Sequence, residues 1–396
     1  MGVATQVALA ERAVDGVLPA RVERPGTIED LGAVITAADR AREAVVLWGG
    51  GTRIGVGDPP DRYDIAVDLT GLAGIVEHSP ADLVCTVRAG TTLVALANTL
   101  GASGQRWPVE APHPARATVG GTIASAAAGP SRLRYQHPRD WIIGCTAVLG
   151  DGTITKAGGR VVKNVTGYDL TRLYSGSYGT LVALAEVTLK LMALPERTAT
   201  LRATVNDVHA ALRIAADLRA THLPLDALAI VTGAAAQHFG TARVSVFVRV
   251  SGPRDAVDRV AQAVRERAGA TDADGGVWET IASLPAEMEQ VARAGWPGGH
   301  DAPDGLDLSS AVVYPGSGIA FLFGATEARE FTRMRARVEA ADGALVVERA
   351  DAAFKRAVGG AWGRARVPLE IARSLKERFD PHGVLAPGRV PLGAST

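Results

Sequence analysis

An apolar run, AVVLW at 44–48, passes straight into the glycine-rich loop GGGTRIGVG at 49–57, and the residues after that loop decide which nucleotide folds are open to the chain. Two familiar phosphate loops can be laid over it. A dinucleotide fingerprint beginning at Gly49 and Gly51 needs a small residue at position 54, where Ile54 stands, and then a helix. The chain continues instead into DPPDRYDIAVDL, whose adjacent Pro59 and Pro60 forbid one. A nucleoside-triphosphate loop beginning at Gly50 and reaching Gly55 needs Lys next, and Val56 is there. Both architectures are excluded. A phosphate bound here must be held by backbone amides of a strand-to-loop turn, with no helix dipole behind them.

At 396 residues the chain exceeds the size at which single cores stop growing, about 250 to 300 residues, so more than one domain is expected. Lys plus Arg and Asp plus Glu both number 42, which leaves no global charge to favour nucleic acid or an anionic membrane. The two cysteines, Cys85 and Cys145, each sit in an apolar strand-like run, too few for a disulfide framework or a cysteine-held iron–sulfur cluster. They are expected to be buried core residues. No apolar run reaches the roughly 18 residues of a membrane span, and a soluble, cytoplasmic protein is the expectation.

Helix and strand patterns alternate along the first half. GTIEDLGAVITAADRAREA at 26–44 predicts a helix capped by Thr27, and AVVLW predicts a buried strand. YDIAVDLTGLAGIVEHS and ADLVCTVRAGT read as two further strands, TTLVALANTLGASG as a helix stopped by glycine, and WIIGCTAVLGDGTIT as a hairpin turning at 150–152. PHPARATVGGTIASAAAGP at 112–130 is built of small residues, which suit either tight packing or a surface pressed against a flat ligand. GTLVALAEVTLKLMAL ends in a strand. After Pro195 the glycine loops give way to strand runs (ALAIVTG, ARVSVFVRVSG, SSAVVYPGSGIAFLFG) alternating with amphipathic helices, the pattern of a compact α+β sandwich. RAGWPGGHDAPDGLD at 293–307 is expected to be an exposed loop. A C-terminal helix ends before Asp380-Pro381. The eight Lys or Arg against three Asp or Glu between Phe354 and Arg389 read as a solvated helix face or a docking surface.

Taken in order, these segments resemble the FAD-binding fold of the vanillyl-alcohol oxidase and p-cresol methylhydroxylase (PCMH) superfamily. The loop at 49–55 is similar to its pyrophosphate loop, and VRAGTTLVALANTLGASG at 87–104 to its second strand and helix. ATVGGTIASAAAG at 117–129 and AVLGDGTI at 147–154 resemble the segments that pass the flavin. GRVVKNVTGYDLTRLYSGSYGTLVALAEVTLKL at 159–191 and LKERFDPHGVLAPGR at 375–389 complete the set. Within the superfamily the wording VVKNVTGYDL is similar to the FAD-binding subunits of bacterial glycolate oxidase.

The resemblance implies an α+β, two-subdomain PCMH-type FAD-binding fold at 1–197, a smaller α+β sandwich or cap domain at 198–350, and a tail at 351–396 returning to the FAD domain. It implies FAD as cofactor, a small hydroxy acid as substrate, and assembly with a larger FAD-containing catalytic subunit and an iron–sulfur subunit. A stand-alone FAD oxidoreductase on a hydroxy acid, lactone or sugar alcohol is the alternative, and a non-redox scaffold of the same fold a further one. The cofactor-binding residues it points to are Gly49, Gly50, Gly51, Thr52, Arg53, Ile54 and Gly55 in the first loop, Thr118, Gly120, Gly121 and Ser125 in the small-residue segment, and Gly176, Gly179, Thr180 and Leu184 beyond it. For the glycines, turn geometry alone is the competing reading, and for Arg53 an exposed side chain with no ligand role. Relatives with covalent flavin commonly use a His in the first loop, sometimes with a Cys in the small-residue segment. Here Thr52 stands at the loop position and no Cys lies between 112 and 130, so noncovalent FAD is expected.

Oxidising a hydroxy acid needs a base for the hydroxyl proton and a cation for the carboxylate. The His-rich segments of related single-chain dehydrogenases are missing, and the eight histidines form no metal-ligand pair, so no metal is expected. His137 and His113 are the candidates for facing the flavin ring, with ordinary loop histidines as the alternative. No catalytic base is assigned. Ala386 stands where the family tail usually carries Asn.

Overall fold

The computed structural model describes residues 9–127, 129–159, 168–298, 300–324, 326–365 and 367–390. Most of the motif GRVVKNVTG, at 160–167, lies outside the described residues. A three-stranded parallel sheet comes first, in the spatial order Arg21–Glu23, Ile65–Asp68, Val45–Trp48. Its crossover is the helix Ile28–Ala41, capped as expected by Thr27, whose side chain accepts from Asp30 N–H while the Asp30 carboxylate accepts from Thr27 N–H. Leu31, Ile35 and Ala38 recur at helical spacing and pack against Val45, Ile65 and Val67.

Five antiparallel strands form the second sheet, in the order Ile75–Ser79, Val84–Arg88, Ala183–Lys190, Ile142–Val148, Ile154–Gly158. The two strands expected between 63 and 91 are three. A 3-10 turn at Leu69–Gly71, capped by the Asp68 carboxylate on Thr70 N–H, carries the chain out of the parallel sheet and into this one. Cys85 and Cys145 are both buried on these strands, as expected, and burial pushes their thiols up to about 11 and about 12.

The largest sheet has eight strands, all paired antiparallel. Leu228 and Ile230 of the strand Ala227–Val231 face the helices Val208–Ala220, Arg254–Ala268 and Ala328–Ala340, while Ala227, Ala229 and Val231 face the opposite core with Trp278 and Phe247. A period of two with both faces apolar is what a strand covered on both sides requires. SSAVVYPGSGIAFLFG is two strands, Ala311–Tyr314 and Ile319–Phe323, folded on each other at Pro315–Ser317. The stretch 293–307 is not simply an exposed loop. It begins inside the strand Val291–Gly295, and Trp296 is buried with its indole N–H donated to the His300 carbonyl.

Two polar latches tie this sheet to the rest of the chain. Arg134 donates to buried Asp226, and Arg249 donates to the Glu110 carboxylate at 2.8 Å and to the Ser131 hydroxyl. Among the described residues no helix is long and apolar enough to cross a membrane.

Candidate functional site

The strand Val45–Trp48 ends at the mouth of a cleft, and the glycine loop forms its rim. Gly49, Gly50, Gly51, Thr52, Arg53 and Ile54 line the cleft together with Thr118, Gly120, Gly121, Ser125, Gly179 and Leu184. Residues scattered over 136 positions of sequence thus meet around one space. Gly55 lines an adjoining cavity of about 330 Å³ that shares the loop with the cleft. Gly176 and Thr180 do not line the cleft. Gly176, with φ +84°, donates its N–H to Ile123, and Thr180 bonds back to Ser177, so both shape the turn that presents Tyr178 and Gly179. The apolar side of the cleft, Val46, Leu47, Leu69, Ala89 and Val182, and the polar Tyr178 and Arg389 complete the lining.

The loop divides into two halves of opposite character. Among the described residues, the backbone N–H groups of Gly49, Gly50, Gly51, Thr52 and Arg53 donate to no protein acceptor. Immediately downstream, five successive carbonyls are taken by two buried cations. Lys355 Nζ donates to Gly55 and Gly57 at 2.7 and 2.9 Å, and Arg389 donates to Ile54, Val56 and Asp58. Asp15 pairs with both, lying 2.8 Å from Lys355 and 3.3 Å from Arg389. Burial lowers the Lys355 ammonium, and Asp15 only partly offsets that. A third, half-buried cation, Lys376, donates to the Thr180 carbonyl of the second glycine loop at 2.7 Å and pairs with Asp380. The basic residues of the C-terminal segment are therefore not all a solvated face. Lys355, Lys376 and Arg389 point inward and hold the cleft's two glycine loops. The same segment extends the parallel sheet: Val45 N–H donates to Val384, and Ala386 N–H donates to the Val45 carbonyl.

Close packing explains part of the small-residue pattern. A Cβ at Gly50 would collide with the Arg116 carbonyl, and one at Gly120 would come within 2.7 Å of Ala89 Cβ. The segment at 116–121 is thus pressed against both the loop and the antiparallel sheet, while Gly121 and Ser125 border the open cleft. Tight packing thus accounts for the glycines at 50 and 120. Ala386 lines the cleft in a left-handed conformation, φ +47°, which Asn tolerates better than Ala.

Neither histidine candidate lines the cleft. His113 lies on the adjoining cavity, with Nδ1 3.9 Å from Glu287. His137 accepts from Arg139 N–H through Nδ1 and caps a 3-10 turn, and burial beside Arg132 and Arg139 pushes its imidazole down to about 4. Among the described residues no group of three or more His, Cys, Asp or Glu is placed to hold a metal ion.

A polar cluster, of which the sequence pointed to Arg53 alone, closes one end of the cleft. Glu348, 4 % exposed, accepts from Arg53 at 2.8 Å through one carboxylate oxygen and from Arg293 at 2.5 Å through the other. The Tyr178 hydroxyl stands beside both guanidiniums. Burial alone raises the Glu348 carboxyl, but the two guanidiniums outweigh it and hold it below the usual range.

Residues 19–158 match the family described as FAD binding domain. Over 358 residues the chain is 29% identical to the glycolate oxidase subunit GlcE of Escherichia coli, a match that covers 87% of this chain and 92% of that protein. The chain belongs to the FAD-dependent oxidoreductases. The flavoprotein is also 30% identical over 206 residues to the glycolate oxidase subunit GlcD of Bacillus subtilis, a match spanning 52% of this chain but only 44% of GlcD. Its fold is that of p-cresol methylhydroxylase, with a TM-score of 0.68 at 15% identity over 94% of this chain and 88% of that one. The PCMH-type α+β fold expected from the motifs is therefore the fold found. The cleft fits the cofactor of this family: five unpaired amides stand at its rim, small residues line one wall, and apolar side chains line the other.

Proposed function

We propose that the flavoprotein is the noncovalent FAD-binding subunit of a glycolate oxidase-type complex, which converts a 2-hydroxy acid to a 2-oxo acid and passes electrons to a partner iron–sulfur subunit. The observation that carries this is the alignment with GlcE over 92% of that protein's length. The cleft supports it. In this reading the amides of Gly49 to Arg53 hold the pyrophosphate, Thr118, Gly120, Gly121 and Ser125 line the middle of the cofactor, and the turn at Gly176–Thr180 with Leu184 bounds its other side. Residues 1–197 and the tail at 351–396 form the cofactor-holding part, and 198–350 form the cap.

FAD, when bound, supplies the hydride acceptor. The chain's own residues bind and orient it and exclude water: the apolar wall of Val46, Leu69, Ala89 and Val182 shelters the cleft from solvent. The lining residues, none of them His or Cys among those described, support noncovalent binding, as does the burial of both thiols.

The test is the absorbance of the purified chain before and after acid precipitation. Flavin bands near roughly 375 and 450 nm that move wholly into the supernatant are expected. A colourless protein that takes up no added FAD overturns the flavin reading, and colour retained in the pellet overturns noncovalent attachment. Co-purification with a cysteine-rich subunit is expected for the complex. A stand-alone oxidoreductase is the second reading, favoured by the Arg53, Arg293 and Tyr178 cluster at the cleft's end. Bleaching of the isolated holoprotein by anaerobic glycolate, with no partner present, decides for it.

A further inference from the structure

The cluster at the end of the cleft carries more positive charge than it neutralises. Arg53 and Arg293 share the single carboxylate of Glu348, which is buried, and both guanidiniums are partly buried beside it. Arg132 lies close enough to Arg293 for the two to repel, and Asp140 offsets this only in part. A guanidinium stays charged at any pH the protein meets, so the surplus cannot be relieved by losing a proton. Burying such a charge without a counter-ion is costly.

The arrangement leaves donors free. Glu348 uses only Nε of Arg293 and one terminal nitrogen of Arg53, and Arg53 Nε is buried with no acceptor. Tyr178 completes the set from the opposite wall. Its backbone is left-handed, φ +53°, an uncommon conformation for a bulky residue, held by a hydrogen bond from its N–H to the Ala124 carbonyl. Its ring packs edge-on against Trp362 at 4.9 Å, and the Trp362 indole N–H is itself fixed on the Arg389 carbonyl. The ring is thereby held in the lining of the cleft, which it shares with Arg53, and Arg53 also lines the adjoining cavity together with Glu348.

We propose that Tyr178 and Arg293, with Arg53 oriented by Glu348, form a subsite for the carboxylate of a small organic acid at the end of this chain's own cleft. A planar carboxylate matches the guanidinium fork, and the tyrosyl hydroxyl supplies a further donor that an apolar analogue could not use. Glu348 is a positioning residue: by occupying Nε of Arg293 it directs the remaining N–H groups of that fork. The subsite brings together two glycine loops and two strands of the eight-stranded sheet, Val291–Gly295 and Ala344–Arg349, so it exists only when the sheet is latched over the cleft. Placing it beside a flavin rests on the function proposed above.

Isothermal titration calorimetry of the full chain with oxalate, inorganic phosphate and uncharged ethylene glycol tests this, with flavin content measured on the same samples. Saturable oxalate binding is expected, with phosphate much weaker and ethylene glycol silent. Tyr178→Phe and Arg293→Gln are each expected to weaken oxalate by about ten- to a hundredfold, compared on samples brought to equal flavin content. If Arg293→Gln does not fold, Tyr178→Phe, which deletes one exchangeable group, still decides. Unchanged oxalate affinity in the folded variants, phosphate binding as tightly as oxalate, or no oxalate binding by the wild type overturns the subsite. Absence of flavin with oxalate binding intact overturns the flavin reading alone.

Discussion

Replacing Lys355 by Met removes one ammonium and little else, and it tests whether the buried clamp holds the glycine loop. Met retains the length of the stem, so the packing loss is small. What is lost is specific: two contacts to Asp15, at 2.8 and 2.9 Å, and the ammonium that holds the Gly55 and Gly57 carbonyls. Each orphaned carbonyl costs about 1–3 kcal/mol if water cannot reach it. Asp15 keeps only the longer pair to Arg389, 3.3 Å. Breaking one side of a buried ion pair costs about 3–5 kcal/mol, and because these contributions overlap, that range is the expectation for the whole change. It is a large share of the roughly 5–15 kcal/mol that stabilises a typical protein.

Urea unfolding of the wild type, Lys355→Met, Asp15→Asn and the double variant measures it. The double variant removes both charges and is expected to recover at least about 1 kcal/mol relative to the sum of the single changes. FAD affinity should fall with Lys355→Met, since the clamped half of the loop anchors the half that carries the free amides. A loss below about 1 kcal/mol, or strict additivity of the two single changes, refutes the clamp.

Three further outcomes follow from particular residues. Gly50→Ala forces a Cβ into the Arg116 carbonyl, and is expected to cost about 1–3 kcal/mol and reduce flavin retention, read from the ratio of flavin to protein absorbance after gel filtration. Ala386→Gly relieves a left-handed alanine at φ +47° and should raise the urea midpoint by the equivalent of about 1 kcal/mol. His137 titrates near about 4 in the folded chain because it is buried beside Arg132 and Arg139, with Asp140 only partly compensating, and near about 6.5 when unfolded. The unfolded chain therefore binds the extra proton between those values, and stability contributed by neutral His137 is complete above about 6.5 and lost as pH falls toward about 4. His137→Asn, which can keep the cap on Arg139 N–H, should flatten the thermal midpoint across that window; an unchanged slope counts against the assignment.

Local signals carried much of the architecture. The Thr27 capping box, the hairpin at 150–152 and the run into the glycine loop depend on neighbours within a few residues, and each was readable as text. Missing were features that depend on where the chain has already been. The 3-10 turn after Asp68 separates two sheets whose strands look alike in sequence, and Trp296 is buried inside a stretch whose composition reads as solvent. The two histidines in the flavin-binding half were drawn forward by residue type alone, while the cleft selects Tyr178 and Arg53 by position.

The sequence by itself determined that this chain is a flavin-type fold whose glycine loop offers amides rather than a helix dipole. Proline after the loop, the missing lysine and the spacing of the small residues are local constraints on backbone geometry, and they act wherever the chain goes. Only the tertiary structure decided what the charges do. Arg53 and Glu348 are separated by 295 residues, and Lys355 and Gly55 by 300, yet each pair is in direct hydrogen-bond contact. A basic side chain in a polar segment reads the same in sequence whether it meets water or a buried carbonyl. Which of the two it meets is set by desolvation and long-range packing, and these exist only once the tail has closed over the loop.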